Sequence, residues 1–311
     1  MNQSLLIGTR GSALALAQAD RTEAALRAVF PDLELQRRII KTIGDKRTDV
    51  PLSQVAKVAG GVIDKGVFTK ELEVALERGE AQLAVHSLKD MPTDLDEGFE
   101  LVAVLERAPV ADLLLSRGGY GLKDLPAGSV VGTSSVRRSK QLLHLRPDLK
   151  VADIRGNVPT RIEKLARGEF DAILLAEAGL NRLGYDLSGF DCEGVSIHVD
   201  VLDVHEFLPA AGQGAIGLET LSSDRQSAEF AKAINHHETW TRITAEREFL
   251  HLLQAGCHTP VGVLSELDGA NLKLKACVFD EHTLDPPKTA ACEGPASDPK
   301  ALAKTLYLSL K

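Results

Sequence analysis

The feature that most constrains this chain is a pattern used twice: a short apolar run ends in glycine and a hydroxyl residue, then passes straight into a helix-forming stretch. Leu6-Ile7-Gly8-Thr9-Arg10-Gly11-Ser12 enters an Ala/Leu-rich segment from Ala13 to about Phe30, and Val130-Val131-Gly132-Thr133-Ser134-Ser135 enters a second such segment. A short apolar run bounded by loop residues reads as a buried strand and the longer segment after it as a helix, so the pattern predicts βα units of an α/β domain. Ser12 is the expected N-cap of the first helix. A further echo supports the repeat: Arg78-Gly79-Glu80 precedes Leu83-Ala84-Val85, and Arg167-Gly168-Glu169 precedes Ala172-Ile173-Leu174-Leu175. Two α/β halves of similar build are predicted to face each other across a cleft, a favoured place for a small-molecule site.

Leu33, Leu35 and Ile39 predict a second strand, Thr69 a short helix ending near Gly79, and the stretch from Gly44 to Gly66, with Pro51 and Gly60-Gly61, a long loop. A strand is expected in Gln213-Gly214-Ala215-Ile216-Gly217-Leu218-Glu219, after which the character changes. A helix from Glu238 to Leu253 is predicted to set Trp240, Ile243, Arg247 and Leu250 on one face. Alternation in Leu272-Lys273-Leu274-Lys275-Ala276-Cys277-Val278 predicts an antiparallel strand with one wet face, and a helix from Ala301 to Leu310 closes the chain. With 311 residues, two or three domains are expected at roughly 100 to 200 residues each. The expected division is 1–105 with 213–234, then 106–212, then a small α+β domain over 235–311.

Charge decides against one broad class of function. A formal net charge of -8 does not suit a nonspecific binder of nucleic acid, so local clusters of arginine carry more meaning. No apolar run approaches the roughly 20 residues of a membrane span, and the N-terminal stretch lacks the pattern of a signal peptide. Cys192, Cys257, Cys277 and Cys292 form no C-x-x-C pair, so reduced thiols, no metal and a cytoplasmic location are expected.

Gly132-Thr133-Ser134-Ser135-Val136-Arg137-Arg138 is the strongest local signal. A strand end delivers hydroxyls and two guanidiniums to the first turn of a helix, where unpaired N–H groups already favour an anion. Arginine adds bidentate pairing to carboxylate or phosphate. Arg155-Gly156-Asn157-Val158-Pro159-Thr160-Arg161 follows the run at Val151, Arg182 follows the one at Ile173, and Arg10 holds the equivalent loop of the first half. If those runs share one sheet, the arginines converge on a small, multiply negative ligand. His86-Ser87-Leu88-Lys89-Asp90-Met91-Pro92 offers Asp90 for proton transfer or for holding a cation, whereas His86 reads as an interior histidine. Gln254-Ala255-Gly256-Cys257-His258-Thr259-Pro260 puts a cysteine in a turn after the third-domain helix. Neither G-x-G-x-x-G followed by a helix nor G-x-x-x-x-G-K-[ST] occurs, so nucleotide binding has no support.

Taken together and in this order, these blocks resemble the porphobilinogen deaminase (hydroxymethylbilane synthase) family, together with Lys65-Gly66-Val67-Phe68-Thr69-Lys70-Glu71-Leu72-Glu73, Ala178-Gly179-Leu180-Asn181-Arg182-Leu183-Gly184 and Gly212-Gln213-Gly214-Ala215. The resemblance implies two α/β domains like those of periplasmic binding proteins plus a small α+β C-terminal domain. It implies a transferase that joins four porphobilinogen molecules onto a dipyrromethane cofactor, covalently held by a thioether at Cys257, and acts as a monomer. Asp90 matches the family's catalytic aspartate. Cofactor binding is implied for Asp90, Lys89, Ser135, Arg137, Arg138 and Arg155, and substrate binding for Arg10, Ser12, Lys65, Arg155, Arg161, Arg182 and Gln213. Two departures stand out: the segment from Val55 to Lys65 is longer than usual, so Lys57 has no secure counterpart, and Ala255 replaces the usual first glycine of the cysteine turn. The competing reading is a non-catalytic two-domain binder of an anion, which would use the same arginines.

Overall fold

The structure, a computed structural model, describes residues 4–42, 69–255, 259–283 and 285–311. In chain order the elements are β1 (Ser4–Arg10), α1 (Ala13–Val29), β2 (Glu34–Ile40), α2 (Lys70–Glu77), β3 (Leu83–Ser87), β4 (Phe99–Val104) and β5 (Asp112–Ser116). There follow β6 (Val130–Gly132), α3 (Val136–Leu145), β7 (Lys150–Ala152), α4 (Val158–Ala166), β8 (Ala172–Ala176), α5 (Glu177–Arg182), β9 (Phe190–Cys192) and β10 (Val195–Val201). The remainder is β11 (Ile216–Leu221), α6 (Arg225–Ala233), α7 (His237–Leu252), β12 (Val261–Asp268), β13 (Asn271–Val278), β14 (Lys288–Pro295) and α8 (Pro299–Leu308). The chain divides into two compact units, Met1–Ala108 with Gly214–Thr244 and Pro109–Gln213 with Ala245–Lys311. The loop expected from Gly44 to Gly66 lies outside the described residues.

In the first unit the strand order is β2-β1-β3-β11-β4. β1 runs parallel to β2 and β3, while β11 is antiparallel to β3 and β4. The βα pattern read in the sequence is realised here: β1 ends at Arg10, and the Ser12 hydroxyl accepts the Ala15 N–H at 3.3 Å to cap α1. Leu5, Ile7, Leu26, Leu83, Val85 and Leu218 form the core between sheet and helices. Each fully buried leucine contributes roughly 1.5–3 kcal/mol.

The second unit repeats the design with the order β7-β6-β8-β5-β10-β9. Here β6 is parallel to β7 and β8, and β5 is antiparallel to β8 with Asp112 opposite Ala176. β5 is buried along its whole length, which explains its unbroken Leu113-Leu114-Leu115 run: Leu113 and Leu115 pack on one face with Ile162 and Ile173, Leu114 on the other with Leu142 and Leu174. The same unit holds an antiparallel sheet, β12-β13-β14, whose inner face packs Val263, Leu272 and Leu274 against Phe249 of α7 and Leu306 of α8. Lys273 is exposed, but on the same face Lys275 is half-buried and Cys277 is buried with Leu208, Leu264 and Phe279, so the face expected to be wet is wet only at its start. This mixed architecture is the α/β fold with a small α+β portion that the sequence pattern predicts.

One helix departs from expectation. α7 buries Thr239, Ile243, Ala245, Glu246 and Phe249, while Trp240, Arg247 and Leu250 are half-buried, so the helix is covered on more than one side. A single apolar stripe does not describe it. At its end Gln254 takes a left-handed φ of 52°, and the Ala255 N–H reaches back to the Leu250 carbonyl at 3.0 Å.

Gly217 in β11 shows how tightly the first unit packs around the turn after β3. A Cβ added there would lie 3.0 Å from both Leu88 Cδ1 and Leu101 Cδ1 and 3.2 Å from Met91 Sδ. Gly217→Val is therefore expected to destabilise the protein by about 1–3 kcal/mol through overpacking, read as a lower urea midpoint. An unchanged midpoint would mean that the turn gives way without strain.

Candidate active site

Because β7, β6 and β8 are adjacent and parallel, their carboxyl ends share one edge of the second unit's sheet. The segments leaving that edge carry the predicted arginines. After β6, Ser135 caps α3, its hydroxyl accepting the Arg138 N–H at 3.5 Å. Beside it, Ser134 ties this strand end to the next segment, donating to the Ile154 carbonyl at 2.6 Å and accepting the Ile154 N–H at 3.2 Å. After β7, Asn157 caps α4 and Pro159 sits in its first turn. Arg161 Nε donates to the Gly156 carbonyl at 2.8 Å, and Lys164 Nζ to that of Arg155 at 3.2 Å. Burial pulls the Arg155 guanidinium below its ordinary pKa, opposed by the charge of Asp153. An anion beside Arg155 would relieve that penalty. Arg182 ends α5, the helix after β8, and is half-buried.

Arg137 and Arg138 are not solvent-facing. Both side chains are 7% exposed and converge on Asp112, which is fully buried. Asp112 begins β5, and since β5 runs antiparallel to β8 its first residue lies at the same edge as the carboxyl end of β8. Arg138 donates to Asp112 Oδ1 from Nε at 3.0 Å and from Nη2 at 2.7 Å, and from Nη1 to the Leu174 carbonyl at 3.0 Å. Arg137 Nη1 forms an ion pair with Asp112 Oδ2 at 2.7 Å and donates to the Leu208 carbonyl at 2.6 Å. Burial pushes the Asp112 carboxyl up, but the charges of Arg137 and Arg138 outweigh it and hold the group well below the usual carboxylate range. Two cations about one anion leave this centre with a net positive charge of one, which suits an anionic ligand.

Gln213, expected to take part in substrate binding, is fully buried, and its Nε2 donates to the Val110 carbonyl at 2.7 Å and to Asp112 Oδ1 at 3.1 Å. In this position its amide braces the arginine centre.

In the first unit, Arg10 ends β1 and is half-buried, while the neighbouring β3 ends at Ser87 and continues into a 3₁₀ turn, Leu88–Asp90. Both lie at the carboxyl edge of that sheet. Lys89 and Asp90 are exposed at the tip of the turn, and the residues on either side hold it down. Leu88 and Met91 are buried, the Leu88 N–H donates to the Ala215 carbonyl at 3.1 Å, and Gln18 Nε2 donates to the Ser87 hydroxyl at 2.7 Å. A carboxylate on such a turn is presented with little freedom to wander. His86 is interior, with Nε2 2.9 Å from Glu219 Oε2. Lys65 and Cys257, with Lys57, lie outside the described residues.

Asp112, Gln18 and Glu246 are absent from the sequence-based expectation. Asp112 does leave a signal: a lone carboxylate opening the run Leu113-Leu114-Leu115 will be buried with it, and a buried carboxylate demands a cationic partner.

The family described as "Porphobilinogen deaminase, dipyromethane cofactor binding domain" matches residues 5–229, and that described as "Porphobilinogen deaminase, C-terminal domain" matches residues 240–311. A porphobilinogen deaminase of Desulforudis audaxviator is 44% identical over 312 aligned residues, covering 100% of this chain and 95% of its own. Another from Chloroherpeton thalassium is also 44% identical, covering 86% of this chain and 80% of its own. Among solved structures, a probable amino-acid ABC transporter extracellular-binding protein of Bacillus subtilis aligns with a TM-score of 0.45 at 10% identity, over 78% of this chain and 95% of its own.

Asp112 also sets an expectation for stability. Its folded pKa lies below the unfolded value of about 4, so its contribution is fully present above that pH and is lost as pH falls from about 4 toward the folded value. Asp112→Asn is expected to lower stability at neutral pH by about 3–5 kcal/mol, because two buried guanidiniums lose their counter-charge. The variant should also lose the part of the acid slope that belongs to this group. Urea titrations of both proteins between pH 3 and pH 7 check this, and equal midpoints at neutral pH would contradict it.

Proposed function

Since the chain belongs to the porphobilinogen deaminase family, we propose that it deaminates porphobilinogen and joins four units head to tail on a covalent dipyrromethane primer, releasing hydroxymethylbilane by hydrolysis. The observation that carries this reading is the set of arginine-bearing segments at the carboxyl edge of the β7-β6-β8 sheet. Porphobilinogen carries an acetate and a propionate, so each addition brings two more carboxylates that need partners when they leave water.

The donor set fits the cofactor. Dipyrromethane bears carboxylates of the same kind; the net positive centre of Arg137, Asp112 and Arg138 stands at the Ser135-capped start of α3, and the partly buried Arg155 leaves the same sheet edge after the adjacent β7. In this reading Arg137, Arg138, Arg155, Ser135 and Lys89 hold the cofactor's carboxylates, Asp90 faces its pyrrole N–H groups, and Cys257 anchors it through a thioether. Arg10, Ser12, Arg155, Arg161 and Arg182, with Lys65, take the carboxylates of incoming units. When bound, dipyrromethane supplies the terminal pyrrole carbon to which the next unit is joined.

Asp90 is assigned the chemistry at the reacting centre. Loss of ammonia from porphobilinogen leaves a cation spread over the pyrrole ring, and a fixed carboxylate accepting pyrrole N–H groups stabilises that charge most where it is greatest. The anchoring of Ser87, Leu88 and Met91 supports this assignment, because a preorganised carboxylate spends nothing on reorientation as charge develops.

The proposed division into three domains, 1–105 with 213–234, 106–212 and 235–311, draws support from the separate C-terminal match beginning at residue 240. No helix among the described residues is long and apolar enough to cross a membrane. A cytoplasmic monomer is the assembly we assign.

Intact mass after incubation with porphobilinogen tests the reading: the protein should carry a dipyrromethane increment, Cys257→Ser should carry none, and a bare chain mass in the wild type would sink it. Asp90→Ala should keep the increment and lose turnover by a factor on the order of 10²–10³, the scale of removing one preorganised electrostatic group. Formation of uroporphyrin after acid and oxidation reports turnover, and full activity in the Asp90 variant would overturn its role. Arg155→Leu should impair primer assembly or chain elongation, and unchanged kinetics would return Arg155 to the surface.

A further inference from the structure

Helix α7 carries a charged side chain with no exposed surface: Glu246 is 0% exposed, beside the equally buried Ala245 and close to Phe249. A carboxylate in such a place is strongly destabilising unless its oxygens are satisfied, so its partners reveal what it is there to hold. Glu246 Oε2 accepts the Gly212 N–H at 2.7 Å, and Oε1 accepts the Ser265 hydroxyl of β12 at 2.5 Å. Gly212 has a φ of 70°, a conformation that favours glycine, and the turn closes with the Gln213 N–H donating to the Ala210 carbonyl at 3.0 Å. The next link is the buried Gln213 amide on Asp112 Oδ1, and the last is Asp112 on Arg137 and Arg138. A run of buried contacts therefore joins α7 to the two guanidiniums.

We propose that Glu246 is a positioning residue for the arginine centre: by fixing the Gly212 N–H it sets the Gly212–Gln213 turn, and through Gln213 and Asp112 it sets the direction of Arg137 and Arg138. This inference rests on the functional reading above, in which those arginines hold carboxylates of the cofactor. The chemistry requires an acceptor at the Gly212 N–H, which an apolar side chain of similar size cannot supply, whereas the Ser265 hydroxyl can donate or accept. A buried N–H left without its acceptor is worth about 1–3 kcal/mol, which corresponds to roughly 5- to 150-fold in an equilibrium constant.

The test compares wild type, Glu246→Leu, Ser265→Ala, Gln213→Leu, the Glu246→Leu/Gln213→Leu double variant and Arg137→Leu, each confirmed as folded by circular dichroism. Two quantities are read: the rate at which apo-protein gains the dipyrromethane mass on exposure to porphobilinogen, and the steady-state KM and kcat for porphobilinogen. Glu246→Leu should load about tenfold more slowly and show a KM raised by about tenfold, with Ser265→Ala shifted the same way by less. A merely structural role would reduce the folded fraction and so lower apparent kcat, leaving KM where it was. The double variant should be no worse than the worse single one, because both act on one path, whereas independent defects multiply. If Glu246→Leu does not fold, Ser265→Ala carries the test, and an unchanged KM and loading rate there overturns the proposal. Unchanged KM and loading in a folded Glu246→Leu does the same. Wild type that never gains the dipyrromethane mass, or Arg137→Leu that loads normally, would instead strike the functional reading. Impaired Arg137→Leu beside a normal Glu246→Leu would remove this inference alone.

Discussion

Two guanidiniums buried at the edge of a sheet need an anion, and in this protein Asp112 supplies it from the neighbouring strand. Much of the second unit is arranged around that requirement. β5 enters antiparallel to β8 so that its first residue, not its last, meets the carboxyl edge where α3 begins. The Leu174 and Leu208 carbonyls take N–H groups of the guanidiniums, and Gln141 clasps the Leu208 backbone from both sides, donating to its carbonyl at 2.9 Å and accepting its N–H at 2.7 Å. A lone carboxylate in the same place would be driven toward its neutral form. Between two arginines it stays charged, and the group as a whole remains positive.

The same logic of strand direction governs the first unit, with the opposite outcome for exposure. There the turn after β3 leaves Lys89 and Asp90 exposed while its neighbours are held in place: Leu88 and Met91 by burial, the half-buried Ser87 by Gln18, the Leu88 N–H by the Ala215 carbonyl. The arginines proposed to hold carboxylates are braced by an internal anion, and the carboxylate proposed for the chemistry is left exposed on a braced turn. In both units the sheet edge does the positioning, and the proposed site residues sit on the segments that leave it.

Local features of this arrangement are legible in the chain because they are carried by neighbours in sequence. The β1 and β6 runs, the Ser12 and Ser135 caps and the Leu272-Lys273-Leu274 alternation of β13 each follow from a few adjacent residues and the geometry of one element, whereas the burial of Cys277 on the outer face of β13 does not. The grouping of Arg155, Arg161 and Arg182 at one edge is conditional on a shared sheet, and it follows once the structure makes β7, β6 and β8 adjacent and parallel. α7 is less legible. Its buried residues include threonines and a glutamate, which a search for an apolar stripe passes over, because their burial is compensated by hydrogen bonds that the sequence does not display.

What the sequence by itself determined is the βα construction used twice, the antiparallel C-terminal portion, the arginine-bearing strand ends and the residue types suited to an anionic, growing ligand. Only the tertiary structure decided that Arg137 and Arg138 face inward to Asp112, that Gln213 is buried with its amide on Asp112, and that Glu246 reaches Gly212 and Ser265. The reason is the range of the interactions. Caps, turns and alternation act over a few residues, whereas Asp112 and Arg138 are 26 residues apart, Glu246 and Gly212 34, and Gln213 and Asp112 101. Contacts at such separations are selected by the burial energy of the finished core, which no local pattern encodes.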